Sequence, residues 1–293
     1  MKRSLAILTV LASVAHAEPK RVAVDDPAPT SVEPVDTAPA TAAPAPQKPR
    51  RFYFRAGGVH VAPLASSREM ELADVDGAAS LAIQNGPIAG SGATITSATV
   101  PGAIVGYVLP WAKRRFSVEA VLGIPFKVHF QATGTLATES IAPTALGIPT
   151  GVGPLGSDLG EASAIPIVAT LVFAPLGVDR RIAPLVGIGP SVLFATNGKI
   201  TNPTLTEVSQ PDFDISPAPG IVLQGGLDVA IYGRIKARLD IKYIAGMLAR
   251  ATVQHVQVRT PGLPLFDTVE VGTAKMSVWV NPLVVQLGIG ADF

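Results

Sequence analysis

Lys236, Arg238, Asp240 and Lys242 stand at every second position, a spacing that puts all four side chains on one face of an extended strand. Such a face must meet water or opposite charges, because a charge left unpaired among apolar groups is costly. Between and beside them Ile235, Ala237, Leu239, Ile241 and Tyr243 are apolar or aromatic. The chemistry on offer is therefore a network of ion pairs rather than a reaction. A hydrolytic site would need a nucleophile, a base and an orienting acid. Beyond the first 17 residues the histidines are His60, His129 and His255, and no serine stands near them in a recognisable nucleophile context. No metal-ligand spacing, phosphate loop or cysteine pair occurs, so no catalytic residue is assigned, no cofactor is expected, and an enzyme is not.

The same period of two recurs along the chain. Leu283, Val285, Leu287, Ile289, Ala291 and Phe293 are apolar, and Gln286, Gly288, Gly290 and Asp292 fill the alternate positions. In all, eight strand candidates are legible: Arg51 to Ala62, Ala98 to Leu109, Arg115 to Ile124, Ala164 to Ala174, Ile182 to Phe194, Ile221 to Ile231, Ile235 to Ile244 and Pro282 to Phe293. The connections between them alternate long and short. This asymmetry predicts an all-β fold: an eight-stranded antiparallel transmembrane β-barrel with short periplasmic turns and long extracellular loops. Loop 141–159, with recurrent proline, is expected to be irregular, whereas 245–258 and 268–279 are expected to extend the last hairpin above the membrane.

Composition agrees with a barrel in the outer membrane of a Gram-negative envelope. Mean hydropathy is +0.40 and 48% of residues are hydrophobic, yet no run is long enough for a helical span of about 18 residues. Strands need only about 9 to 11 residues each to cross. Residues 1–17 carry Lys2 and Arg3, an apolar middle and Ala15-His16-Ala17, and are expected to be a cleaved signal peptide. Residues 18–50, rich in Pro and Ala, are expected to be a disordered periplasmic leader with possible cell-wall or periplasmic contact, and 51–293 the barrel. A formal net charge of +1 gives no concentrated basic surface for nucleic acid.

Facing then assigns the interior. Arg55, Glu119, Asp228, Lys236, Arg238, Asp240, Lys242 and Asp292 are expected to form a charge network in the lumen. In the second, fourth and fifth strands both faces are apolar, and inward Ile104, Val108, Val168, Val172 and Leu185 are expected to line an apolar lumen. Pro101, Pro166 and Pro184 are expected to interrupt ladder hydrogen bonds where the wall could part.

Several segments resemble the OmpW family of small outer-membrane barrels. They are Phe52 to Pro63 with its Arg-Ala-Gly and Val-Ala-Pro, Val118 to Lys127 followed by Ala132-Thr133-Gly134, Ile165-Pro166 with Leu171 to Phe173, Ala183 to Gly189, and Asn281-Pro282-Leu283 to Phe293. Asn281 and Leu283 replace that family's usual Asp and Trp around Pro282. The resemblance implies a porin-like channel that lets small hydrophobic compounds cross the outer membrane by a narrow apolar funnel and a lateral exit. The partners expected are outer-membrane lipid, small hydrophobic molecules, and the barrel-assembly machinery, which would read the strand ending in Phe293. The alternatives are a structural, adhesive or receptor barrel acting through its extracellular loops and, more remotely, a lipid A-modifying enzyme.

Overall fold

The structure is a computed structural model that describes residues 50–293. The signal segment, and all of the leader except Arg50, lie outside these residues. Eight barrel strands run in chain order: β1 (Phe52–Ala62), β2 (Ala98–Val108), β3 (Phe116–Gly123), β4 (Asp158–Phe173), β5 (Ile182–Ile200), β6 (Ala218–Tyr232), β7 (Ile235–Ala245) and β8 (Leu283–Asp292). Each pairs antiparallel with the next, and β8 returns to β1 from Tyr53↔Asp292 to Ala62↔Leu283. The barrel is closed, each strand having a neighbour on both sides, so it has no free edge strand.

Alternation decides what each wall residue touches. On β7 Lys236, Arg238, Asp240 and Lys242 are buried, while Ile235, Leu239 and Ile241 lie open on the outside. Across the ladder, β3 buries Ser117 and Glu119 and exposes Val118 and Leu122. The strands whose facing the sequence leaves open divide the same way: Ile104, Val108, Val168, Val172 and Leu185 point in, and Val105, Ile167, Leu171, Val186 and Ile188 point out. These exposed apolar residues form the lipid-facing belt of a membrane barrel. Phe52 packs on Tyr107, and Phe116 on both Trp111 and Phe173, near the short-turn end, where an interfacial girdle is expected. Tyr53 does not join it: it is 5% exposed and faces the lumen.

At the other end the long loops fold into a cap. Leu248–Gln254 pairs with Thr273–Trp279 as expected, and this hairpin is flanked by Asp212–Ile215 and by Glu71–Ala73. Phe126–Gly134 continues above β3, pairing with the upper part of β4 and with Ser91–Ile95. An apolar core including Met70, Leu72, Phe130, Leu136, Val253 and Met276 holds these strands together. Segment 141–159, expected to be irregular, sends Val152, Leu155 and Leu159 into that core. Burial of a leucine or valine stabilises by about 1.5–3 kcal/mol, which is what anchors an otherwise aperiodic segment.

Candidate functional site

The lumen has two storeys. The lower, toward the short turns, is filled by side chains of opposite charge. Arg238 Nε and Nη2 bind the two oxygens of Asp228 at 2.7 and 3.1 Å, and its Nη1 donates to Glu119. Arg55 Nη2 reaches Asp292 at 2.6 Å and Asp228 at 3.3 Å. Lys236 Nζ completes a pair with Asp292 at 2.7 Å, and Lys242 one with Asp240 at 2.8 Å. Gln224 Nε2 donates to both Glu119 and Asp240 at 2.8 Å, and Tyr53 Oη donates to Glu119 at 2.6 Å. Four cations thus meet four carboxylates, all eight of the residues expected in the network, and their charges balance. Buried charges persist at such a site only when paired and hydrogen-bonded.

Local geometry makes room for this packing. The Tyr53 ring lies over Gly106, where a Cβ would approach Tyr53 Cζ to 1.9 Å. Both Arg55 and Arg238 lie within 5.3 Å of that ring's centre. From below, the β4–β5 turn closes in, and Val178 O accepts from Lys236 Nζ at 2.6 Å. The void left at this end is about 20 Å³, room for roughly one water. An eight-stranded barrel has an interior just wide enough for its own side chains, and here they leave no straight aqueous path.

The upper storey is the reverse. A cavity of about 110 Å³ is lined by Val59, Val121, Phe130, Val168, Leu193 and Met247 among others, and polar lining is confined to Thr96, Lys242 and Gln286. Its floor is the network itself, because Gln286 stands opposite Asp240 on β8 and β7. Ile95, Ile215 and Ala249, from the cap, help to line it. An apolar cavity of about 150 Å³ holds benzene, so this one is scaled to a small ring or a short chain.

The cavity meets the wall where the ladder fails. Pairing of β3 with β4 runs from Phe116↔Phe173 to Val121↔Val168 and resumes only at Phe126↔Ala164. The residues between, 122–125 facing 165–167, have no ladder partner across this seam. Continuing the register sets Gly123 opposite Pro166; a Cβ on Gly123 would lie 3.4 Å from the proline ring. Pro125 and Pro166 lack the N–H that a ladder needs. Gly123, Ile124 and Pro166 all line the cavity, and Ile124 is also exposed on the outer face.

Of the five residues expected to line an apolar lumen, Val168 lies in this cavity. Ile104 and Val108 sit lower, packed on Tyr53, and Val172 and Leu185 border the small void beside the ion pairs. Each of the three prolines stands in register on one side, Pro101 with Gly58, Pro166 with Leu193 and Pro184 with Leu227; toward β3, Pro166 marks the open seam and Pro101 also lacks a partner, since the β2–β3 ladder begins at Gly102↔Gly123. Met247 and Val280, at the bases of the last loop, line the cavity without any periodic signal. The histidines form no common site: His60 bonds Thr99 at 2.8 Å, His255 meets Asp212 at 3.0 Å, and both, like His129, are exposed.

No family model matches the chain, and no curated protein does. Solved structures do. Outer membrane protein OprG from Pseudomonas aeruginosa is similar with a TM-score of 0.60 at 19% identity, over 83% of this chain and 96% of that one. Outer membrane protein AlkL in DMPC bilayers (TM-score 0.48, 17% identity, 86% of this chain and 95% of that one) and Escherichia coli outer membrane protein W (0.42, 15%, 83% and 98%) also match. The closed ring of strands, the apolar outer belt and the likeness to OprG together make this chain, by fold, an outer-membrane β-barrel of eight strands.

Proposed function

We propose that the protein admits small hydrophobic compounds from outside the cell and releases them sideways into the membrane between β3 and β4. The carrying observation is the joining of one apolar cavity to one unpaired seam. A solute in the upper storey meets a floor of paired charges, and crossing it would mean breaking ion pairs in a low-dielectric interior. The seam offers an alternative at small cost, since no ladder hydrogen bonds need be broken between 122–125 and 165–167. Beyond it lies lipid, in which the same solute is soluble. Binding in a dry apolar pocket and exit into hydrocarbon are driven by the same removal of apolar surface from water. Assembly is read as beginning from the last strand, whose Phe293 exchanges backbone hydrogen bonds with Phe52 at 2.7 and 3.2 Å and so seals the first and last strands.

The chain has no cysteine, so a seam can be locked without background. In liposomes carrying Gly123→Cys/Pro166→Cys, oxidation is expected to stop uptake of a small hydrophobic dye and reduction to restore it, with a polar solute of similar size excluded throughout. Uptake that continues through a fully formed crosslink would remove the lateral route.

A further inference from the structure

The net charge of +1 conceals a strong separation. The lumen network is neutral. On the loop side of it, the cap and upper wall carry six Lys or Arg against twelve Asp or Glu. At the short-turn end, residues 50–51, 109–115, 174–181 and 232–234 carry eight Lys or Arg and a single acid, Asp179. The turn-side rim is therefore a ring of positive charge at the level of the interfacial aromatics.

One part of that ring is built as a cleft. Ala112, Lys113 and Arg114 take consecutive left-handed conformations, with φ of 52°, 53° and 56°, each costing roughly 1–2 kcal/mol for a residue with a Cβ. This turn places Arg114 against Asp179, with Nε–Oδ2 2.8 Å and Nη2–Oδ1 3.2 Å. The neighbouring Ala174 N–H donates to Arg115 O at 2.8 Å. The clamp consumes the rim's one carboxylate. Arg115, Arg180 and Arg181 are left exposed and without an acidic partner among the described residues, around a concave surface floored by Pro175, Leu176 and Ile182. Leu176 and Ile182 are open to the outside beside them, as is Trp111.

We infer that this cleft binds the phosphate headgroup of an anionic phospholipid, phosphatidylglycerol in kind, from the leaflet at the turn side. Three guanidinium groups supply forked donors suited to phosphate oxygens. The leucine and isoleucine below them match acyl chains, which a soluble phosphate lacks. Residues 18–49 could bring five acids but also three bases, too little to neutralise the rim. Each cation at a membrane surface multiplies the preference for an anionic lipid by about five, so three together give roughly a hundredfold. The inference does not depend on the transport reading.

The test uses the full chain in neutral detergent, titrated with dihexanoyl phosphatidylglycerol, dihexanoyl phosphatidylcholine or glycerol phosphate, and binding read by native mass spectrometry. Phosphatidylglycerol is expected to bind at least tenfold tighter than phosphatidylcholine, with glycerol phosphate failing to displace it. Arg115→Gln/Arg180→Gln/Arg181→Gln should erase the preference, the three Arg→Lys changes should keep most of it, and Arg68→Gln/Lys127→Gln/Lys199→Gln on the cap side should leave it unchanged. Equal affinity for the two lipids in the wild type, full displacement by glycerol phosphate, or an undiminished preference in the glutamine variant would each overturn it. The wild-type comparison decides the matter even if a variant fails to form the barrel.

Discussion

The lower and upper storeys of the lumen share one wall, one pleat and one rule of facing, yet one is a salt-bridged plug and the other a dry cavity. The difference lies in the side chains that the inward positions carry at each height. Arginine, lysine, glutamate and tyrosine are long enough to meet near the axis, as Arg238 does from β7 to Glu119 on β3. Valines such as Val59, Val121 and Val168 stop short and leave the centre open. Filling a barrel interior is thus a matter of reach, and the neutral sum of the charges allows the lower filling to be buried at all. The plug gives the cavity a floor, and the broken ladder at Gly123 and Pro166 gives it a side.

The largest expected effect comes from opening the plug. Arg238→Ala strands Glu119 as a buried charge without an ion-pair partner and leaves Asp228 only the longer contact of Arg55, a change that costs about 3–5 kcal/mol. Urea unfolding from lipid vesicles should show that loss, and adding Glu119→Gln should recover part of it, because one orphaned charge disappears. Additive losses in the pair would mean that the two side chains do not interact. Polar solutes should leak through the Arg238→Ala barrel and not through the wild type.

Aspartate substitutions separate the storeys next. Val168→Asp places a carboxylate in the wall of the cavity, so hydrophobic uptake should fall about tenfold or more while polar solutes stay excluded, since an apolar solute must now pass a charged group. Leu185→Asp, beside the ion pairs, should chiefly perturb stability. Equal loss of uptake from both would show that the route runs the length of the lumen. Smaller again is Tyr53→Phe, which removes a hydrogen bond to Glu119 and should cost about 1.5–3 kcal/mol in unfolding, as for a bond to a charged group, without altering uptake.

Much of this division is written in the sequence, and some of it needed one more step of reading. The alternation of Lys236 to Lys242 with isoleucine and leucine is sufficient to set facing, because lipid and lumen demand opposite chemistries. Height was also available. β2 and β4 run toward the short turns and β5 away from them, so Val108 and Val172, late in their strands, and Leu185, early in its own, had to lie low. Val168, four residues before Val172, lies high enough to reach the cavity. Beyond its last hairpin the cap was not legible, because its core gathers Met70, Leu136, Val152, Leu205, Val253 and Met276 from four separate loops. None of those loops has a period that would betray the partner it packs on. The open seam was half visible, as Pro166; its other half, Gly123, reads as an ordinary inward glycine until the register sets the two opposite each other.

That pair also gives the subtlest way to sharpen the contrast between plug and cavity. Gly123→Ala adds one methyl group that would sit 3.4 Å from Pro166 Cγ, an ordinary van der Waals contact, and stability should change by no more than about 0.5 kcal/mol. The methyl nevertheless projects into a seam that no ladder hydrogen bond holds at a fixed width. Uptake of a bulky ring should therefore drop more than uptake of a slim linear alkane analogue, and the ratio of the two rates, measured in the same vesicles, removes differences in the amount of folded barrel. An unchanged ratio would locate the exit elsewhere in the wall. A shifted ratio with unaltered unfolding would place the size limit at β3 and β4, in a part of the barrel whose stability owes nothing to the charges beneath it.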